Sequence, residues 1–478
     1  MTAARASALA GLPALTGLTA DSRAVRPGFL FAALPGAKAD GRLFIADALR
    51  AGAVAVLAPV GTALPPGSEA VLVTDDEPRR RFALIAAAFY GRQPATTVAI
   101  TGTSGKTSTA QFTRQLWAAL GHKAGAVGTL GVVAPGLTRD GALTTPDAVE
   151  LHATLAELAA AGVDHVAMEA SSHGIEQRRL DGVALAAAGF TNLSRDHLDY
   201  HGTMDAYFEA KAALFERLLP RGAPAVVNVD GDWGRTLAGI ASGAGLQVLS
   251  YGRQGDALRL LGREARPTGQ RLHLDVLGAP AVVDLPLVGA FQAYNVLCAL
   301  GLALATGGDR DALLAALPGL EGVRGRLELV AQRRNGAAVY VDYAHKPDGL
   351  EVVLDTLRAH THGRLVVAFG CGGDRDRGKR PIMGEIAARM ADRVIVTDDN
   401  PRTEDAAAVR AEVLAGCPGA AEIGDRREAI RAAVRELAAG DVLVIAGKGH
   451  ETYQIVGGET RHFDDAEEAR AAVAEMDA

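Results

Sequence analysis

The chain has 478 residues, 49% hydrophobic and 5% aromatic, with a net charge of −7. That length predicts about two to four domains, each able to bury its own core. The two charge signs are mixed, which excludes the basic footprint of a nucleic-acid binder, and no apolar run reaches the ~20 residues that span a bilayer.

The opening stretch through Leu15 lacks the apolar core of a secretory signal. Cys298, Cys371 and Cys417 lie far apart and show neither a disulfide framework nor zinc spacing. The expectation is a cytoplasmic protein with no membrane insertion and no nucleic-acid partner. Only seven of the 49 basic residues are Lys, and Lys106, Lys211, Lys346, Lys379 and Lys448 fall in or beside candidate motifs. In a chain that rarely uses Lys, such places call for an amine or ammonium.

Residues 1–93 form the first expected unit. Phe29–Leu34 reads as a strand, Phe44, Ile45, Ala48 and Leu49 give helical spacing, and Glu77–Tyr90 reads as a helix. Asp21-Ser22-Arg23 offers a hydroxyl and a guanidinium suited to a diphosphate or sugar, or is a plain surface turn. Gly91–Pro94 reads as a linker.

Residues 94–326 form the second. Val98-Ala99-Ile100 is a short buried-strand signal, followed by Gly102-Thr103-Ser104-Gly105-Lys106-Thr107 and a helix with Phe112, Leu116 and Leu120 on one face. Strand, glycine loop, Lys, hydroxyl and helix make a phosphate cradle. The glycines let backbone N–H groups turn inward, Lys106 brings a point charge, and Thr107 can ligate magnesium. The loop is shorter than the usual Walker A sequence. Two further strands, His165–Met168 and Ala184–Phe190, run into Glu169 and into Thr191–Gly202. Residues past strand carboxyl ends meet at the ligand crevice of a parallel sheet, so Glu169 and Asp196-His197 are candidates to converge on the phosphates. Glu169 is either a Mg²⁺ ligand or a solvated or capping carboxylate, and His197 is either a ligand or a structural histidine. Met204–Leu218 reads as a helix capped by Thr203. Lys211 shares its apolar face with Tyr207 and Leu214, and either snorkels or sits desolvated with a lowered pKa.

Residues 327–478 form the third. Strands Val339–Val341, Leu365–Phe369, Val394–Thr397 and Val442–Ala446 each end in a polar loop bearing Gly or Pro. Gly370-x-Gly372 lacks the third glycine of a dinucleotide fingerprint, since position 375 is Arg. Arg375 and Arg402 against Asp399 and Glu451 either suit a ligand carrying both carboxylate and ammonium groups or form a solvated charged rim.

TGTSGKTST, MEASSHG, TNLSRDHLDYHG, AKAALF, GAFQAYN, GVRGRLE, DYAHKPD, GCGGDRDRGKR, DNPR and GKGHE occur in this order. With these ten motifs the chain resembles the Mur ligases, ATP-dependent amino-acid ligases of peptidoglycan precursor synthesis, from Asp21 to Glu451. Within the family it resembles members that add a diamino acid to UDP-N-acetylmuramoyl-L-alanyl-D-glutamate. The resemblance implies an α/β fold of three domains: a small N-terminal UDP-binding domain, a central P-loop-type parallel-sheet ATPase domain and a C-terminal Rossmann-like domain. It implies ATP contacts at Gly102, Thr103, Ser104, Gly105, Lys106, Thr107, Asn295, Arg326 and Asp342. Thr107, Glu169 and His197 would hold Mg²⁺, joined by Lys211 as a CO₂-derived carbamate. Lys106, Lys211, His197 and Glu169 form the implied catalytic set. Ser22, Thr144, Thr145, Ser171, Gln177 and Arg179 resemble the set for the UDP-sugar dipeptide. Arg375, Asp399, Asn400, Pro401, Arg402, Gly447 and Glu451 resemble the set for meso-diaminopimelate, with Arg402 of DNPR facing its distal carboxylate. Lysine lacks that group, and a ligase adding L-lysine or another amino acid is the alternative. A monomer is expected, and Lys346 has no assigned role.

Overall fold

The computed structural model describes residues 8–36, 39–141, 143–266 and 268–478. They fall into two compact units, one running to Arg259 and taking in Asn295–Leu313, the other comprising Leu260–Tyr294 and Leu314–Ala478.

The first unit carries two sheets. In the smaller, β1 (Gly17–Thr19), β2 (Phe29–Ala32), β3 (Ala55–Pro59) and β4 (Val71–Asp75) lie in sequence order and all pair parallel. β2 and β3 are apolar along nearly their whole length because both faces are covered. The helix Pro78–Tyr90 sinks Phe82, Ile85 and Ala86 into one face. Pro78 pre-sets its first turn, and Gly91, at φ 73°, ends it.

The larger sheet is built on β5 (Thr96–Thr101), β6 (Ala124–Gly128), β7 (Gly131–Ala134), β8 (Leu137–Arg139), β9 (His165–Glu169), β10 (Ala187–Phe190), β11 (Pro224–Asn228) and β12 (Gln247–Gly252). The order is β12-β11-β10-β5-β9-β6-β7-β8, parallel from β12 to β6. β5 lies between β9 and β10, so the loops leaving the carboxyl ends of these three strands emerge side by side. Val98, Ala99, Ile100, Val166, Ala167 and Met168 have no exposure, which anchors that end of the sheet.

The helix Lys106–Ala119 buries Phe112, Leu116 and Trp117, while Leu120 serves as its C-cap instead of extending the buried stripe. The predicted helix Met204–Leu218 also changes character. Thr203 Oγ1 accepts from Ala206 N at 3.1 Å and caps an α-helix over Met204–Ala213. Leu214–Leu218 is then a π-turn, closed by Leu219 N donating to the Leu214 carbonyl at 3.1 Å.

β13 (Leu258–Arg266) leaves the first unit, and β14 (Gly269–Val276) and β15 (Ala279–Leu285) form an antiparallel hairpin in the second. The principal sheet of the second unit contains β16 (Glu328–Gln332), β17 (Ala338–Asp342), β18 (Leu365–Phe369), β19 (Arg393–Val396), β20 (Ala421–Glu422) and β21 (Val442–Ala446). Its order is β16-β17-β21-β18-β19-β20, and only the edge strand β16 runs antiparallel. Apolar clusters cover both faces, as a parallel sheet requires. Cys298, Cys371 and Cys417 are free and buried. Among the described residues, no helix is long and apolar enough to cross a membrane.

Candidate active site

The phosphate loop turns on two glycines. Gly102 has φ 144° and Gly105 φ 85°. A Cβ at Gly102 would stand 2.0 Å from Thr191 Oγ1, and one at Gly105 would stand 2.2 Å from Asn295 Oδ1. Neither position tolerates a side chain. The loop after β10 braces the cradle. Thr191 Oγ1 donates to the Ser104 carbonyl at 2.6 Å, Thr103 N to the Asn192 carbonyl at 2.9 Å, and Ser104 N to Asn192 Oδ1 at 3.0 Å. The Ser104 N–H, expected to face phosphate, is therefore engaged by Asn192. TNLS read as part of a motif, but nothing in the sequence marked Asn192 as the brace.

Lys106 Nζ donates to the carbonyls of Gly102 (2.9 Å) and Thr103 (2.8 Å). Lys211 Nζ donates to the same Gly102 carbonyl at 2.9 Å and is 1% exposed. Of the two sequence readings of Lys211, the desolvated amine is the one found. Burial, reinforced by the Lys106 charge, lowers its pKa from 10.5 to about 6. The Tyr207 ring lies 4.3 Å from Lys211 Nζ, and the Tyr207 hydroxyl is 3.3 Å from Thr103 Oγ1.

Glu169 closes the other side of the cradle as the last residue of β9. Its Oε2 accepts from Thr107 Oγ1 at 3.0 Å and from Thr129 Oγ1 at 3.3 Å, and its Oε1 accepts from Thr129 N at 2.7 Å. A hydroxyl and a carboxylate in contact at the phosphate-loop helix form an oxygen donor set of the kind Mg²⁺ takes. Thr129, outside every motif, was missed by sequence reasoning. His197 has φ 52°, is half exposed, and stands 3.6 Å from Asp196. Its ring centroid is 5.1 Å from His173 and 6.1 Å from Tyr207. The structure thus joins His197 to the lysine pair through Tyr207.

The residues expected to bind the UDP-sugar dipeptide fall into a connected set and one outlier. Thr145 Oγ1 donates to the Glu169 carbonyl at 2.9 Å and accepts from Ser171 N and Oγ at 2.9 and 3.0 Å. Arg179 donates to the Thr145 carbonyl (2.6 Å) and to Gln177 Oε1 (2.7 Å), and Thr144 Oγ1 is 3.1 Å from Thr129 Oγ1. Gln177 and Arg179 line a cavity of about 510 Å³ together with Thr19, Asp21, Arg79, Tyr90 and Asp147. Ser22 is the outlier, beside Asp21 at the start of a 3₁₀ turn. The Arg23 guanidinium, read as either a diphosphate or sugar donor or part of a plain surface turn, is held by Asp21 at 2.7 Å, and its hydrogen bond lowers the Asp21 carboxyl to about 2.

In the second unit, Asn400 organises the expected amino-acid residues. Its Nδ2 donates to Glu451 Oε2 at 3.0 Å, and its Oδ1 accepts from Lys448 Nζ at 3.2 Å and Ile455 N at 2.9 Å. Lys448 is wholly buried, 3.6 Å from Glu451. Burial pushes the Lys448 ammonium down and the Glu451 carboxyl up. Lys448 stood in the GKGHE motif without a role and proves to be the hub's cation. Arg402 adopts φ 55°, donates to the Gly373 carbonyl at 2.7 Å, and has its own N–H on the Ile455 carbonyl at 3.1 Å. A Cβ at Gly447 would stand 2.5 Å from Asp399 Oδ2. Pro401 precedes Arg402 and accepts the Glu404 N–H at 3.0 Å. Arg375 is exposed and donates to the Asp374 carbonyl at 3.1 Å, apart from the Asn400 hub.

Asp342, the last residue of β17, has both oxygens engaged by backbone, accepting from Leu327 N and Ala344 N at 2.7 Å each. Burial raises it to about 6 against the pull of Arg326. It thereby fixes the turn that sets the Arg326 guanidinium 4.7 Å from the Tyr343 ring.

Three family models match the chain in succession: the Mur ligase family catalytic domain over residues 14–90, the Mur ligase middle domain over 100–303, and the Mur ligase glutamate ligase domain over 325–449. A UDP-N-acetylmuramoyl-L-alanyl-D-glutamate–2,6-diaminopimelate ligase of Mesorhizobium japonicum is 56% identical over 96% of this chain and 95% of its own length. The chain belongs to the Mur ligase family. A ligase of the same name from Caulobacter vibrioides is 54% identical over 98% of this chain and 97% of its own. A solved structure of such a ligase superimposes with a TM-score of 0.74 at 36% identity, covering 96% of this chain and 95% of that one. The three-domain α/β arrangement of the Mur ligases is the one found here: the β1–β4 sheet, the central parallel sheet on β5, and the sheet on β17–β21.

Proposed function

We propose that the chain is an ADP-forming ligase that joins meso-2,6-diaminopimelate to the D-Glu γ-carboxylate of UDP-N-acetylmuramoyl-L-alanyl-D-glutamate, with ATP as co-substrate. The work is cytoplasmic peptidoglycan precursor synthesis, carried out by a monomer whose domains run 1–93, 94–326 and 327–478. The observation that carries this reading is similarity along 96% of the chain to a ligase of that name. A braced phosphate cradle and a built DNPR hub support it.

A carboxylate is a poor acylating agent, so the γ-carboxylate first attacks the ATP γ-phosphorus, giving an acyl phosphate and ADP. Lys106 leaves its loop carbonyls to meet the γ-phosphate charge, with the remaining N–H groups of Gly102–Thr107 and Asn295 holding the nucleotide. The diaminopimelate amine then attacks the acyl carbonyl, and the tetrahedral species expels phosphate. Arg402 would pair with the distal carboxylate, Glu451 with an ammonium, and Asp399, Asn400, Gly447 and Arg375 would complete that set. Gln177 and Arg179, on the 510 Å³ cavity, with Thr144, Thr145, Ser171 and Ser22, would hold the UDP-sugar dipeptide.

The Thr107 hydroxyl and Glu169 carboxylate, 3.0 Å apart, fit Mg²⁺, with His197 as a further ligand. Bound there, the ion would draw charge off the transferring phosphoryl oxygens. Lys211 fits carbamylation, because only a neutral amine attacks CO₂, losing one proton as the carbamate forms. Its pKa near 6 keeps it neutral at cellular pH, and Lys106 stands ready to balance the new negative charge. Supplying ¹³C-bicarbonate should give one carbamate resonance that Lys211→Arg lacks.

The reaction itself is tested by product and stoichiometry. ADP and phosphate should appear at full rate only with both the dipeptide substrate and diaminopimelate present, and mass spectrometry should find the amide. Equal turnover with L-lysine would favour the alternative specificity. Turnover without any amino acid would overturn the ligase reading.

A further inference from the structure

The phosphate cradle occupies the carboxyl end of the central sheet. At the opposite end, two segments tied to that cradle bring three ligand-type side chains together. His165 begins β9, the strand that ends in Glu169, ~13 Å further on. His122 follows the helix that starts at Lys106, ~20 Å away along its axis.

His165 Nδ1 lies 2.8 Å from Asp164 Oδ1, and the His122 and His165 rings are 3.9 Å apart between centroids. One ligand atom from each of His122, Asp164 and His165 lies within 4.8 Å of the others. Among the described residues, no other trio of His, Cys, Asp or Glu converges this closely. The backbone beneath is fixed. Asp164 N and His165 N both donate to the Lys123 carbonyl, at 3.0 and 3.4 Å, and His122 N donates to the Trp117 carbonyl at 3.0 Å. Ala124 pairs with His165 across β6 and β9. The Trp117 ring packs 4.9 Å from His165 and walls the cluster on its inner side.

Two imidazoles and a carboxylate are the donors of a borderline divalent ion, which would complete its shell with water. Mg²⁺ prefers an all-oxygen set such as Thr107 and Glu169. We propose that His122, Asp164 and His165 form a zinc-class metal site, separate from any nucleotide-bound magnesium, that clamps the far end of the phosphate-loop helix to the start of the Glu169 strand. The site stands independently of the ligase reading. Zinc–nitrogen and zinc–oxygen bonds of ~2.0–2.2 Å require the ligand atoms, which lie within 4.8 Å of one another, to draw closer on binding.

The test uses the full chain, stripped of metal, with Co²⁺ as the probe. The chain has two Trp, so a Trp233→Phe background leaves Trp117 as the reporter. One equivalent of Co²⁺ should quench Trp117 and raise the thermal midpoint. Zn²⁺ should displace it, and millimolar Mg²⁺ should not. His122→Ala and, independently, Asp164→Asn should each weaken Co²⁺ binding by at least the ~10–100-fold that loss of an outer-shell partner costs. The proposal is overturned if Trp117 is unquenched at one equivalent, if both variants keep the parent affinity, or if Mg²⁺ competes equally.

Discussion

Lys106 and Lys211 donate to a single oxygen, the Gly102 carbonyl, each at 2.9 Å. Burial, with the nearby Lys106 charge adding to it, lowers the Lys211 pKa to about 6 and so favours its neutral amine.

Stability should therefore depend on pH through Lys211. Between about 6 and 10.5 the unfolded chain binds a proton that the folded chain does not, so this contribution to stability rises with pH. The penalty is fully present below about 6 and is relieved as pH approaches 10.5. Lys211→Met should gain stability over the parent, most near pH 6 and least near pH 10, read as urea midpoints at fixed ionic strength. A gain that does not change with pH would contradict the assignment.

Glu169→Gln keeps the shape of the acceptor and removes its charge. The amide oxygen can keep the Thr129 N–H while the NH₂ donates to the Thr107 and Thr129 hydroxyls, so the fold should hold. The Mg²⁺ concentration for half-maximal ADP release should rise and kcat fall by about 10²-fold, because charge stabilisation at the phosphoryl group is worth several kcal/mol. Parallel Mg²⁺ titrations of parent and variant decide this.

Gly105 and Gly121 separate contact from backbone strain. Both have positive φ, 85° and 90°, but a Cβ at Gly121 meets nothing within 4 Å. Gly121→Ala should cost only the left-handed penalty of about 1–2 kcal/mol. Gly105→Ala adds the clash with Asn295 and should also abolish nucleotide binding, measured by calorimetry against ATP.

Arg402 sits in left-handed backbone, a region Asn tolerates well. Arg402→Asn should fold and lose about 10–100-fold in kcat/KM for diaminopimelate, mainly through KM, because a charged hydrogen bond contributes about 1.5–3 kcal/mol. Its kcat/KM for lysine should be unchanged. An equal loss for both amino acids would remove Arg402 from the specificity argument.

Much of this was legible in the sequence because local chemistry dictates it. Gly102 and Gly105 announce a positive-φ turn that glycine adopts most readily, and the apolar run before them announces the strand. Lys211 stood out because an amine on an apolar face needs a reason. What stayed hidden depends on partners far along the chain. Thr129 reaches Glu169 only because β6 and β9 are neighbours, and Asn192 braces Ser104 only because β10 lies beside β5. Spacing within a segment carries no record of which strands become neighbours. Of the two readings of Asp21-Ser22-Arg23, the structure shows the surface turn, with Arg23 paired to Asp21 two residues away. The π-turn after Ala213 escaped because its apolar spacing continues that of an ordinary helix.

That π-turn limits how the chain can change in length. Leu214–Leu218 holds one residue more per loop than an α-helix would, and Leu214 and Phe215 are locked in the core. Deleting that extra residue would let the segment close as an ordinary α-turn with its flanks in register, whereas inserting a further one would turn the preceding segment by ~100° and swing the Lys211 amine away from the Gly102 oxygen. Homologues should therefore vary in length at surface hairpins such as Leu277-Gly278, lose at most the one extra residue between Lys211 and Leu219, and gain none there.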